Sequence, residues 1–159
     1  MSPLQTGISG SLKNKDFTII GRQRLLFNSG YMNIWQIIFD DALFYICENE
    51  GIYRCLKNTE VVPRRVSLEN QEPGKKIKLD GVTDFYINRL LSHKTEWLCG
   101  ELKQIIYPSP KSIYIELSKP GTAYALLHIK AQDDFVLLKG DYHPIEDFNF
   151  STLRESYAW

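Results

Sequence analysis

The chain has 159 residues, 43% of them apolar and 13% aromatic, and its 19 basic side chains are matched by 19 acidic ones. That length suits one domain, and zero formal net charge removes the surplus of positive charge on which broad capture of nucleic acid or anionic membrane relies. No apolar run approaches the ~20 residues that span a bilayer as a helix. The opening MSPLQTGISG lacks the basic-then-apolar pattern of a secretory signal, so the expectation is a soluble, cytoplasmic protein with no membrane insertion.

In chain order, residues 1–10 read as a lead-in containing Gly and Ser, and residues 11–15 as a short polar approach. From Phe17 to Leu56 come four runs rich in Ile, Phe, Tyr, Trp and Leu, cut by Asn28-Ser29-Gly30, Asp40-Asp41 and Glu48-Asn49-Glu50-Gly51. β-Branched and aromatic residues suit a pleated, half-buried surface, and Asn, Asp and Gly supply the backbone angles of tight turns. The prediction is an antiparallel meander, with a bulge or bend at Gly21 and Trp35 in a central strand covered on both faces.

The pattern dissolves over residues 63–74, which read as a polar linker between halves at about 1–62 and 75–159 of a single domain. A second meander follows. Residues 84–98 fit either a strand or a short helix, since Tyr86, Leu90, Lys94 and Trp97 share a helical spacing. Ile113, Ile115 and Leu117 alternate with Tyr114 and Glu116; Ala125, Leu127 and Ile129 alternate with Tyr124, Leu126 and His128. At the end, Pro144-Ile145-Glu146-Asp147 looks like one turn of helix, and a stretch from Ser151 like another. The fold class expected is mainly β: two antiparallel meanders forming a sandwich or curled barrel, with short C-terminal helical turns. A faint echo pairs Leu12, Phe17, Ile19 and Arg24-Leu25-Leu26 with Leu79, Phe85, Ile87 and Arg89-Leu90-Leu91, and Trp35 with Trp97, as a degenerate duplication would.

Read together, Phe17-Thr18-Ile19-Ile20-Gly21-Arg22, the aromatics Tyr31 and Trp35, and Gly51-Ile52-Tyr53 resemble the bacterial family catalogued as domain of unknown function 4178. So do Lys76-Ile77-Lys78-Leu79-Asp80-Gly81, Gly100-Glu101-Leu102, and Leu138-Lys139-Gly140-Asp141-Tyr142 running into Ile145-Glu146-Asp147-Phe148. The family often has an acidic residue directly after the tryptophan, where this chain has Gln36, and a proline after Gly-Glu-Leu, where it has Lys103. The resemblance implies a fold and carries no assigned activity.

Three groupings carry potential chemistry. Arg22 and Arg24 point to one face of a strand, as an anion-binding surface or as a charged, solvated edge, the edge being the commoner arrangement. With Trp97, Glu101 and Tyr107 they form the candidate ligand-binding set, Trp97 being the better exposed aromatic and Trp35 the better core residue. Asp141, His143 and Glu146, with Asp147 beside them, are the candidate metal or acid–base cluster, against the plainer reading that the carboxylates cap the turn Pro144 begins. Arg64, Arg65, Lys75, Lys76 and Lys78, with Tyr86 and Tyr107, are the candidate nucleic-acid surface. Cys47, Cys55 and Cys99 show no framework spacing and read as reduced thiols. No nucleophile elbow, phosphate loop or dinucleotide fingerprint occurs, and no cofactor is called for. The leading expectation is therefore a non-enzymatic β-rich interaction module that binds a protein partner or takes a small ligand in an aromatic groove. The alternatives are a metal-dependent hydrolase using Asp141, His143 and Glu146, and a nucleic-acid binder.

Overall fold

Lys13-Asn14, Asp40-Asp41 and Glu50-Gly51 all have positive φ at both positions, the backbone that closes two-residue hairpins in register with the strand twist. The fold they frame is that of a computed structural model, which describes residues 2–27, 30–59, 71–79, 84–103, 113–131 and 134–153. It is mainly β, with 68% of the described residues in strands and no α-helix among them. The strands are β1 (Ser9–Leu12), β2 (Lys15–Phe27), β3 (Gly30–Phe39), β4 (Ala42–Asn49), β5 (Ile52–Asn58) and β6 (Lys76–Lys78). They continue with β7 (Asp84–Leu91), β8 (His93–Gly100), β9 (Ile113–Ser118), β10 (Ala123–Ala131) and β11 (Asp134–His143), followed by a 3-10 turn at Ile145–Phe148.

All eleven strands belong to one antiparallel sheet, ordered β1-β2-β3-β4-β5-β11-β10-β9-β7-β6, with β8 paired to β2. The ladder is not closed. The order is palindromic: β1 to β5 and then β6, β7, β9, β10, β11 run in from opposite ends and meet where β5 pairs β11. The echo read from sequence has a structural counterpart. In β2, Phe17 and Ile19 pack in one outer cluster, the register shifts between Ile19 and Gly21, and Leu25 turns to the interior. In β7, Phe85 and Ile87 pack in another outer cluster, the register shifts between Ile87 and Arg89, and Leu91 turns to the interior. The tryptophans do not correspond, since Trp35 lies on β3 and Trp97 on β8, which has no counterpart in the first half.

Two ladders join the halves, and glycine permits each. At β5–β11, a Cβ on Gly140 would fall 1.9 Å from the Cys55 carbonyl oxygen. At β2–β8, Gly21 faces Gly100, and a Cβ on Gly100 would fall 2.4 Å from the Ile20 oxygen. The shared interior draws on β2 to β5 and on β7, β9, β10 and β11, with Leu25, Met32, Tyr45, Cys47, Leu56 and Leu126 all at or near complete burial. A second cluster on the outer side of β2 to β5 is covered by Leu4, Ile8 and Leu12 from the N-terminal segment and by Phe148 of the 3-10 turn. Burial of that many apolar side chains is the main stabilising term, at roughly 25 cal/mol per Å² removed from water.

Several expectations change. The N-terminal lead-in contains a strand, β1, and residues 84–98 are extended throughout, so the helical reading of that stretch fails. The two meanders belong to one large antiparallel sheet that is not closed into a barrel. Gly74 and Lys75, at the end of the supposed linker, exchange backbone hydrogen bonds with Ile87 of β7, while 63–70 lie outside the described residues. Pro144 is the N-cap of the 3-10 turn, not its first residue. Ser151 donates its N–H to the Ser9 carbonyl beside β1; the rest of the second predicted turn, from residue 154, lies outside the described residues. No helix among the described residues is long and apolar enough to cross a membrane.

Candidate functional site

The bulge next to Gly21 sets the direction of everything after it in β2. Beyond it, Arg22 stands opposite Trp35 and Arg24 opposite Asn33 on β3, while on the other edge Arg24 stands opposite Trp97 of β8. Arg22, Arg24 and Trp97 are thus brought together. The Arg22 guanidinium lies 5.0 Å from the Trp35 ring centre and 4.1 Å from that of Trp97. The Arg24 guanidinium lies 4.6 Å from the Tyr31 ring centre. Cations over aromatic faces are worth about 0.5–1 kcal/mol when exposed and ~2 when desolvated. Arg22 is only 8% exposed, and β2 lies between β3 and β8, so the reading of these arginines as a solvated edge is overturned.

The inner end of this stack is anchored by a carboxylate. Glu48 is buried, and its Oε2 accepts from Trp35 Nε1 at 2.9 Å and Asn33 Nδ2 at 3.0 Å. The Oδ1 of Asn33 accepts in turn from Arg24 Nε at 3.2 Å. A buried carboxylate is tolerated only when hydrogen-bonded in this way. The negative charge also holds Tyr53, opposite Glu48 on β5, in its protonated form. Burial first, and then Glu48, push that phenol up to about 12. Trp35 is 1% exposed and fixed at both its N–H and its face, whereas Trp97 is 51% exposed and held by Arg22. The result is a patch in which two neighbouring arginines are each covered by an exposed ring, Arg24 by Tyr31 and Arg22 by Trp97.

Glu101 does not join it. Glu101 lies past the end of β8, its N–H bonded to the Ile20 carbonyl, and its exposed carboxylate accepts from Lys103 Nζ at 2.6 Å, which lowers its pKa. Tyr107 lies outside the described residues.

The acidic–histidine cluster assembles only in part. Asp141 and His143 share a face of β11, but Asp141 Oδ1 accepts from Thr122 Oγ1 at 3.1 Å. His143 Nδ1 lies 3.2 Å from Asp147 Oδ2, and its ring meets Phe148 edge-on, so its partner is Asp147 and not Glu146. A cavity of about 380 Å³ is lined by Leu12, Lys13, His143, Glu146, Asp147 and Asn149, without Asp141. Among the described residues no three His, Cys, Asp or Glu side chains stand together as metal ligands.

The basic grouping at the linker is largely neutralised where it is described. Lys75 pairs with Glu72 at 3.2 Å and Lys76 approaches Asp84 at 3.9 Å; Arg64 and Arg65 lie outside the described residues. The cysteines are free, and Cys47 and Cys55 face opposite sides of the sheet, one in the interior and one against the outer cluster.

Sequence reading missed Glu48, taking it as part of a turn, and missed Glu116, which faces the interior at 2% exposure. Counting outward from the Asp40-Asp41 hairpin places Glu48 opposite Asn33 and one step from Trp35, a signal that was available. No protein-family model matches the chain, and no curated protein or solved structure is similar to it.

Proposed function

We propose that this protein is a non-enzymatic, β-rich interaction module that works by binding a protein partner through the face built from Tyr31, Arg24, Arg22 and Trp97. One observation carries the reading: a half-exposed tryptophan is presented on top of a buried arginine, which is itself clamped to a second, fully buried tryptophan. Tryptophan, tyrosine and arginine dominate the energetics of protein interfaces because they offer large, stiff contact area with little rotamer entropy to lose. Here the supporting groups are ordered before any partner arrives, which lowers the cost of association.

The resemblance to the bacterial domain family belongs to the same proposal, as does a cytoplasmic location, which three free cysteines support. Hydrolysis through Asp141, His143 and Glu146 has less behind it, because Asp141 is engaged with Thr122 and His143 with Asp147. Nucleic-acid binding has less as well, since Lys75 and Lys76 are matched by acidic groups.

The test is affinity capture from extract of the encoding organism, with wild-type protein and Trp97→Ala side by side. The reading expects a stoichiometric protein recovered by the wild type and lost by the variant. Equal recovery by both, or no partner with either, contradicts it.

A further inference from the structure

The second polar constellation lies at one end of the interior. Glu116 on β9 accepts from the Tyr124 hydroxyl of β10 at 2.6 Å through Oε1, and from Arg89 Nε of β7 through Oε2. Arg89 Nη2 also donates to Asn49 Oδ1, at the end of β4, at 3.2 Å. Each carboxylate oxygen thus has its own donor, and burial together with Glu116 holds the Tyr124 phenol well above its ordinary pKa.

Arg54 of β5 completes the group and is matched differently. Its guanidinium lies over the Tyr124 ring, 4.4 Å from the centre, and its neighbours across the ladders are Cys47 and Tyr142. Its Nη1 is buried and donates to no acceptor among the described residues. Glu116 is taken by Arg89 and Tyr124, and Glu50, exposed in the β4–β5 turn, acts on Arg89. A buried guanidinium N–H without an acceptor is costly, and such a group calls for a partner that the described residues do not supply. Solvent reaches this end of the interior: Tyr142, beside Arg54, is 43% exposed, and the Arg89 side chain 37%.

We propose that Arg54, Tyr124 and Tyr142 form a binding site for a small organic monocarboxylate. Among the described residues no carboxylate pairs with the Arg54 guanidinium, which fits a monoanion; a dianion would leave surplus negative charge next to Glu116. The planar guanidinium edge suits a planar carboxylate, to which it donates in parallel. The Tyr142 ring offers an apolar face to the rest of the molecule. This site is separate from the Trp97 face and does not depend on it.

The test is calorimetric titration of the intact protein, at constant ionic strength, with benzoate, acetate and inorganic phosphate. Saturable benzoate binding is expected, stronger than that of phosphate. Arg54→Met is expected to weaken it by about tenfold or more, the loss of a charge-assisted hydrogen bond. Trp97→Ala is expected to leave it unchanged. Should Arg54→Met not fold, Arg54→Lys keeps the charge but loses the fork and is expected to weaken benzoate too. No saturable benzoate binding, preference for phosphate, or undiminished affinity in the Arg54 variant that folds would overturn the proposal.

Discussion

Lys103 donates its backbone N–H to the Oε1 of Gln36 at 2.9 Å, across 67 residues of sequence. A proline at 103 would have no N–H to give, and the buried Gln36 would lose this donor. Lys103→Pro is therefore expected to cost about 1–3 kcal/mol in urea unfolding. Lys103→Ala keeps the N–H and removes only an exposed ion pair with Glu101, so it is expected to cost under about 1 kcal/mol. Equal effects of the two variants would dissociate the Gln36 contact from stability.

Gly140 is expected to be irreplaceable at the ladder that joins the halves. A methyl group there meets a backbone carbonyl, which cannot rotate away as a side chain can. Gly140→Ala should destabilise the protein by about 3 kcal/mol, near the upper end for overpacking, whereas Lys139→Ala, which removes a cation over the Phe85 ring, should cost about 1 kcal/mol or less. Thermal unfolding of both variants is the check.

The stack on β2 separates stability from recognition. Glu48→Ala strips the acceptor from two donors, Trp35 Nε1 and Asn33 Nδ2, and is expected to cost about 2–4 kcal/mol. Trp97→Ala removes a half-exposed ring and one cation–aromatic contact, costing about 1 kcal/mol or less. Denaturant titration of the two variants should rank them in that order.

Alkaline pH should weaken the fold. Burial pushes Cys55 up to about 11 and Cys47 and Tyr45 up to about 12, and burial with Glu48 does the same for Tyr53. All four are neutral when protonated, so the unfolded chain ionises first. Their contribution is complete below the ordinary thiol and phenol values and is lost as pH rises through the folded ones. Urea unfolding should show stability falling steadily above about pH 9, and a flat profile to about pH 11 would contradict this.

Much of β2 to β5 was legible because aromatic and β-branched runs are cut by turn residues whose positive φ the structure bears out at Asp40-Asp41 and Glu50-Gly51. β1 was not, because Ser9-Gly10-Ser11 carries no apolar alternation and is extended through its pairing with β2. Residues 84–98 were ambiguous between strand and helix for a physical reason. The bulge after Ile87 leaves Phe85, Ile87 and Leu90 on the outer cluster and puts Leu91 in the interior, which breaks the two-residue period. For the site, residue type singled out Arg22, Arg24 and Trp97, but only the β2–β8 pairing shows that they meet. Glu101, placed in the same set, has its contacts elsewhere, with the Ile20 carbonyl and Lys103.

The most direct measurement is a hydroxyl-radical footprint of the protein alone and with its captured partner. Tyr31, Tyr86, Trp97 and Tyr142 are all substantially exposed in the free chain and serve as one another's controls. The account predicts that the partner suppresses oxidation of Tyr31 and Trp97 while Tyr86 and Tyr142 are still oxidised. A complex in which Trp97 oxidises as fast as in the free protein would contradict it.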